Sequence, residues 1–410
     1  MNRRKLFNTI RRILAGIIAP FIPVARWRRK VRLNLLSLRP LADPYCWLKL
    51  RFGKRRSPSV LIVEPNKCHA VVLPGLARHF ADLSYDVSVL AIAPVIESDV
   101  FAKVPNDERI SIYALCTILI ENVLKNAQKL FDVVVLSSTA CYFGAGTDDK
   151  LYIDYLGFVP SGGKKLLLLE HDLRDAAAPR EKNFLNNNQM FVLTGYAHTP
   201  KALTVSTHYF GNINVTPKNR DTVRFITVGS MDASCRSGSL LLDAVGKLHE
   251  KGITDFCITV VGSGKLDGIP TEHRRYFELK GKLDYPQMYA EMEAADFFLA
   301  LLDPNDERHD AYRTVKTTGS KLLVLGFRKP FVVNELFAEA YGFDGRNAVI
   351  YSGNELAEAM RRAVEMDAGE YDQMQRKLGG FADDIRNESL KNLRLALSVT
   401  ENIDSSKKAA

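Results

Sequence analysis

The sequence predicts an α/β chain, two doubly wound parallel domains behind a basic N-terminal extension. Three observations carry this. Continuous apolar, β-branched runs alternate with stretches of helical periodicity, the pattern of parallel strands covered on both faces. The series runs twice, broken by the polar stretch TPKNRD at 216–221. Charge is also segregated: residues 1–58 hold 16 Lys/Arg and one acid, Asp43, while the other 352 residues hold 40 basic and 46 acidic ones.

In the first series SVLIVE (59–64) reads as a buried strand, 71–83 as a helix and YDVSVLAI (85–92) as the next strand. RISIYAL (109–115), a helix through about Lys129 and FDVVVLSS (131–138) continue it. A Gly/Asp-rich loop (144–149) leads to KKLLLLEH (164–171), and ALTVS (202–206) ends the half. The second series runs VRFITVG (223–229), a helix over 238–250, FCITVVG (256–262), a strand at 276–281 and a helix near 286–295. DFFLALL (296–302), a helix over 318–327, PFVV (330–333), AVIY (348–351) and helices near 354–366 and 371–400 complete it. The expected division is an extension at 1–58, domains at 59–218 and 219–385, and a C-terminal helix and tail (386–410) packing back toward the first domain. Doubly wound sheets bind ligands at the carboxyl ends of their strands, so the cleft between the domains is the place to look.

Composition excludes several classes. With 46% hydrophobic and 25% charged residues the chain is globular, neither disordered nor collagen-like. Six scattered cysteines give no close pair, which fits a reducing compartment and no zinc or CxxC site. The folded body carries a net acidic charge, so no nucleic-acid partner is expected.

The extension sets Arg3, Arg4, Lys5, Arg11 and Arg12 before an uncharged run, Ile13 to Ala25, and Arg26, Trp27, Arg28, Arg29 and Lys30 after it. The run is too short to span a bilayer and contains Pro20 and Pro23. It reads as an interfacial anchor on an anionic membrane surface, with Trp27 at the boundary. A secretory signal and a solvated basic arm are the alternatives. The anchor reading places the protein in the cytoplasm, peripheral on the inner face of the plasma membrane.

Chemistry concentrates at a few loops. In YRTVKTTGSKLLVLGFRKPFVV (312–333), Thr318, Gly319 and Ser320 open an apolar helix flanked by Lys316 and Lys321, so free N–H groups and the helix dipole favour an anion there. An ordinary helix cap with solvated lysines is the plain alternative. Gly229 ends a strand, and Arg236 lies in the loop behind it, able to meet a phosphate. GSG at 262–264 is followed by Gly268, giving GxGxxxG and not the dinucleotide fingerprint, which argues against NAD. His69 and His171 both follow strands, where a histidine can act as a base or orient hydroxyls. His198 and His208 fit structural roles in the hinge. No D-x-D and no metal-spaced histidine pair occurs, so no metal and no cofactor is expected.

The second half resembles the nucleotide-sugar domain of GT-B glycosyltransferases of the group 1, family 4-like type. The resemblance is carried by 225–245, 256–266, LKGKLDYPQMYAEMEAADFFLALLDP (279–304) and 319–333. The first half resembles the acceptor domain of bacterial surface polysaccharide and lipopolysaccharide transferases at NKCHAVVLPGLARHFADLSYDVSVL (66–90), LLLEHDL (167–173) and THYFG (207–211). The likeness covers about residues 59–400 and rests on the order of loose motifs. It implies two Rossmann-like domains facing a cleft. Gly229, Arg236, Thr318, Gly319 and Ser320 would then contact the donor diphosphate, and Leu283, Asp284 and Tyr285 the base. The family's Glu-x7-Glu registers on Val315 and Leu323, so both carboxylates are missing; Asp303 in DPNDERHD (303–310) is the substitute candidate. The expected activity is hexosyl transfer from a nucleotide-diphosphate sugar to a lipid-linked or glycan acceptor. A membrane-docked, non-catalytic scaffold of the same fold is the alternative.

Overall fold

The computed structural model describes residues 13–14, 16–37, 39, 42–143, 151–160, 165–173, 184–196, 202–218 and 221–398. The charges at Arg3, Arg4, Lys5, Arg11 and Arg12, the 144–149 loop, His198 and the terminal tail lie outside these residues.

The first domain holds β1 (Ser59–Glu64), β2 (Asp86–Ile92), β3 (Ile110–Leu115), β4 (Val133–Leu136), the hairpin β5 (Ala140–Phe143) and β6 (Leu151–Asp154), then β7 (Lys165–Glu170), β8 (Met190–Val192) and β9 (Leu203–Thr204). Its seven-stranded sheet runs in the order β3-β2-β1-β4-β7-β8-β9, every pair parallel. The antiparallel β5–β6 pair stands apart and was not legible in the apolar pattern. The second domain holds β10 (Val223–Val228), β11 (Phe256–Val261), β12 (Phe277–Gly281), β13 (Phe297–Leu299), β14 (Phe331–Asn334) and β15 (Ala348–Tyr351). Their order is β12-β11-β10-β13-β14-β15, again all parallel. Each sheet therefore reverses its winding once, between β1 and β4 and between β10 and β13, where side chains beyond the strand ends face a crevice.

The strands are buried because helices cover both faces. All six residues of β1 are inaccessible, and Phe80, Phe191, Phe225 and Phe298 fill the layers around the sheets. Two expected strands are shorter than their apolar runs. DFFLALL pairs only over Phe297–Leu299, because Leu301 adopts a left-handed φ of 52° and its carbonyl turns to accept from Ser237 N–H. ALTVS pairs only at Leu203–Thr204, because the Ser206 N–H leaves the sheet for Ser389 Oγ.

That serine lies on the Ala368–Ser398 helix, which starts in the second domain and ends on the first. Tyr371 Oη donates to the Asp296 carbonyl, whereas Asn392 donates to the Thr204 carbonyl and Arg386 pairs with Asp82. The domains also meet through Lys103 and Glu293 at 2.8 Å.

The extension packs on the first domain over much of its length. Lys30 reaches Glu121 at 2.6 Å, Arg39 pairs with the buried Asp43, Trp47 donates to Asn122, and Leu50 enters the core. Ile13, Leu14, Ile17, Ile18, Phe21, Val24 and Trp27 stay exposed. Among the described residues no helix is long and apolar enough to cross a membrane.

Candidate active site

Five residues gather at the carboxyl end of the first sheet. Glu64 closes β1, Ser137 and Ser138 follow β4, and His171 follows β7, while His69 comes from the 3-10 turn Lys67–Val72. That turn is set by Asn66, whose side chain accepts from Cys68 N–H. Glu64 is fully buried and committed on both oxygens. Oε1 accepts from Asn66 N–H at 2.6 Å, and Oε2 from Ser137 at 2.8 Å and Ser138 at 3.1 Å. Burial nevertheless pushes its carboxyl up to about 7.

His69 and His171 stack face to face, ring centres 3.8 Å apart and planes 19° from parallel. His171 Nε2 lies 2.7 Å from the Ser137 carbonyl, so it carries the proton and Nδ1 the lone pair. Burial pulls His171 down to about 4. Burial, then His171 and the Lys316 ammonium, holds His69 well below the usual imidazole range. Both rings are neutral at pH 7.

Glu64, His69 and His171 bring one oxygen and two ring nitrogens within 4.8 Å of one another.

Opposite this cluster stands the helix Gly319–Phe327. Thr318 caps it, accepting from Ser320 N–H at 3.3 Å, and a Cβ built on Gly319 would meet no atom within 4 Å. The first turn therefore opens onto free space. Lys321 is buried on the same turn, its Nζ 3.3 Å from Thr194 Oγ1 and 5.6 Å over the Tyr341 ring, and burial lowers it to about 8. The approach to this helix is stitched to the first domain. Leu173 N–H donates to the Val315 carbonyl at 2.8 Å, Asp172 and Lys316 form an antiparallel bridge, and Tyr196 Oη donates to the Lys316 carbonyl at 2.7 Å. From Lys316 to Gly319 is three residues, about 10 Å of chain at most. The histidine loop and the approach to the helix N-terminus are thus held together across the two domains.

Arg236 ties its own loop to this helix. It is buried, and Nε donates to Thr227 Oγ1, Nη1 to the Ser230 carbonyl, and Nη2 to the Val228 carbonyl and Ser320 Oγ. Four of its five N–H groups brace the β10 loop against the helix, leaving one for a ligand. Gly229 and Gly262 let these loops close up. A side chain on Gly262, at φ 146°, would stand 1.7 Å from the Gly229 carbonyl oxygen. Beside them lies a cavity of about 260 Å³ lined by Met231, Gly264, Leu266 and Gly281.

Leu283, Asp284 and Tyr285 stand together at the start of one helix. Asp284 caps the Tyr285–Ala294 helix through Gln287 N–H at 3.0 Å. Leu283 is half-buried beside it, and Tyr285 packs on Tyr289, with its own N–H donating to Ser98 of the first domain. All three sit where the domains meet. The Asp303 carboxylate accepts from Asn305 N–H at 2.9 Å within its own loop, and the Asp303 N–H donates to His309 Nδ1 at 2.9 Å. Val315 is half-buried and Leu323 buried.

Glu64, Ser137, Ser138 and Tyr196 were not singled out from the sequence. A carboxylate ending an otherwise apolar strand, and a serine pair ending another, were the available signals.

No family model and no curated protein matches the sequence. Among solved structures the chain is similar to AviGT4, a glycosyltransferase involved in avilamycin A biosynthesis, at 15% identity over 83% of this chain and 98% of that one, with a TM-score of 0.50. It is also similar to S. aureus TarM, solved with UDP (10% identity, 82% and 99% covered, TM-score 0.49), and to a putative UDP-N-acetylglucosamine 2-epimerase from Listeria monocytogenes (12%, 85% and 98%, TM-score 0.49). The likeness to AviGT4 is one of architecture: two doubly wound sheets face a single cleft, and the chain has the GT-B fold.

Proposed function

We propose that the chain is a glycosyltransferase that moves a hexosyl group from a nucleotide-diphosphate sugar to a lipid-linked or glycan acceptor. The observation that carries this reading is the open N-terminus of the Gly319–Phe327 helix, whose approach is bridged at Asp172 and Lys316 to the loop that carries His171. In this reading the departing diphosphate lies on the N–H groups of Gly319 and Ser320, with Lys316, Lys321 and the remaining N–H of Arg236 adding positive charge. These groups supply electrostatic stabilisation without calling on a metal or a cofactor. The bridge between Asp172 and Lys316 closes the cleft, and a closed cleft favours transfer over hydrolysis. The cavity beside Gly264 and Leu266 would take the nucleobase.

The exposed apolar residues from Ile13 to Trp27, beside Arg28 and Arg29, support docking on an anionic inner-membrane face, where a lipid-linked acceptor for surface polysaccharide, capsule or lipopolysaccharide would be presented. The non-catalytic scaffold is favoured by one observation only, the apolar side chains of Val315 and Leu323.

A thermal-shift screen of UDP, GDP, UDP-glucose, GDP-mannose and NAD(P) tests the reading. A ligand at 100 times its Kd adds about 2.7 kcal/mol. Stabilisation by a nucleoside diphosphate and its sugar, and not by NAD(P), is expected. No stabilisation by any nucleotide would leave the scaffold.

A further inference from the structure

The Ala42–Phe52 helix shows solvent an apolar face that the core of the first domain does not use. Leu50 enters that core and Trp47 Nε1 donates to Asn122 Oδ1 at 3.1 Å, which turns Tyr45, Leu48 and Phe52 outward at helical spacing. They are 66%, 49% and 71% exposed. Lone exposed apolar residues are ordinary, but three on one face of a short helix call for a partner. The Arg51 guanidinium lies over the Trp47 and Phe52 rings, 5.8 and 5.7 Å from their centres, and steadies both. Alongside runs the Thr117–Leu130 helix, whose exposed stripe is Ile118, Asn122, Lys125 and Lys129. Between the two helices is a groove of about 510 Å³, lined by Pro44, Trp47, Ile118, Leu119 and Lys125. Charge around it is one-sided. Lys49, Lys54, Lys125 and Lys129 are exposed, whereas Asp43 is buried on Arg39 and Glu121 on Lys30.

Apolar side chains ringed by lysines fit an anionic bilayer better than a second copy of this chain, because a two-fold contact would set the same lysines against each other. We infer that the outward face of the Ala42–Phe52 helix lies in the headgroup region of an anionic phospholipid bilayer, and that the groove beside Trp47 takes an acyl chain whose phosphate rests on Lys125. The inference rests on the membrane docking of the proposed function and deepens it, carrying the contact from the Ile13–Trp27 segment onto the folded domain. Tyr45 and Trp47 are amphipathic rings of the kind that settle at a membrane boundary. Lys125 and Lys30 each lie 5.7 Å from the centre of the Phe158 ring, so a phosphate arriving at Lys125 meets two ammonium groups. The Ala25–Ser37 and Ala42–Phe52 helices both pack on the Thr117–Leu130 helix, through Lys30–Glu121 and Trp47–Asn122. Two contacts fixed on one rigid element set the tilt of the first domain on the membrane, where a single flexible segment would only tether it.

The full chain has two tryptophans, so Trp27→Phe leaves Trp47 as the one indole emitter. The probe is vesicles of phosphatidylglycerol and phosphatidylcholine, with and without bromine on the acyl chains. Brominated chains are expected to quench Trp47 at least about twofold, as contact with the acyl boundary requires. Leu48→Glu combined with Phe52→Glu, at two exposed positions, is expected to leave the unfolding temperature unchanged and to lower vesicle affinity at least about tenfold. A chain without residues 1–24 is expected to keep residual binding, which the same two substitutions abolish. Trp47 emission unmoved by brominated vesicles that bind the protein, or wild-type vesicle affinity in the double variant, would overturn the inference alone. So would a dimer, seen by sedimentation velocity, that the double variant dissolves while vesicle binding persists. A full chain that binds no anionic vesicle would overturn the membrane docking and the inference with it.

Discussion

Gly319→Asp isolates the phosphate site from the stability of the fold. Gly319 is exposed, its φ is not left-handed, and an added Cβ meets nothing within 4 Å, so the backbone accepts a side chain without strain. A carboxylate in the first turn interacts favourably with the helix dipole, by about 0.3–1 kcal/mol, so the unfolding temperature should hold or rise slightly. The same carboxylate stands where the diphosphate would bind. At about 5 Å and an effective dielectric constant of about 20, each unit of phosphate charge is repelled by about 3 kcal/mol. That corresponds to at least about 100-fold in affinity. Isothermal titration with UDP and GDP on both proteins, beside thermal unfolding, makes the measurement. The expected result is a folded variant whose nucleotide affinity has collapsed. Normal binding would refute the reasoning and move the phosphate site away from this helix.

Other expectations are equally direct. Glu64 has a folded-state pKa of about 7 against about 4.5 unfolded, so the folded state binds the extra proton and stability falls as pH rises from about 4.5 to 7. Glu64→Gln should remove that slope, making the variant more stable than wild type by about 3 kcal/mol at pH 8 and about equal at pH 4; a gap that does not change with pH, by urea unfolding, would contradict it. His171 acts in the opposite sense, its folded pKa of about 4 lying below 6.5, so His171→Asn should flatten the stability lost as pH falls between those values. Deleting residues 1–24 spares the Lys30–Glu121 pair and should lower co-sedimentation with anionic vesicles at least about tenfold, whereas undiminished binding would remove the anchor. Asp303→Asn keeps the acceptor for Asn305 N–H and should change donor affinity less than about threefold; a tenfold loss would bring that loop into the donor site.

The parts of the molecule that repeat along the chain were the legible ones. SVLIVE and VRFITVG announce central strands because a strand covered on both faces has no polar side to show, and in both domains the winding reversal falls beside them. The helix over 318–327 was legible for the same reason, with Thr318 as its cap. Side-chain direction was not. Arg236 reads as a loop arginine, and only the approach of the β10 loop to Ser320 shows it turned inward as a brace. Glu64 and Ser138 are separated by 74 residues and become neighbours because β1 and β4 pair in register. The helices at Ala25–Ser37 and Ala42–Phe52 escaped notice because the basic residues of the extension read as those of a membrane anchor, whereas Lys30, Arg39 and Arg55 in and around these helices are spent on Glu121, Asp43 and the Phe131 ring.

The Ala368–Ser398 helix turns the pair of domains into an elastic device. One rod of 31 residues, about 46 Å long, is bolted to the second domain at Tyr371 and to the first at Ser389 and Asn392, so the cleft cannot widen unless the rod flexes. Its weak point is visible: Gly379 and Gly380 sit side by side between the bolts, beside Arg328 and ahead of Ala382, whose carbonyl accepts from His208 in the crossing strand of chain. Alanine fits at both positions, with the nearest atom 3.6 Å from a Cβ at 379 and none within 4 Å at 380. The double variant should therefore gain about 1–2 kcal/mol of stability while product release slows; unaltered release in single-turnover against steady-state kinetics would deny the rod this role. Any opening would then have to bend the helix at this glycine pair as well as part the Asp172–Lys316 bridge.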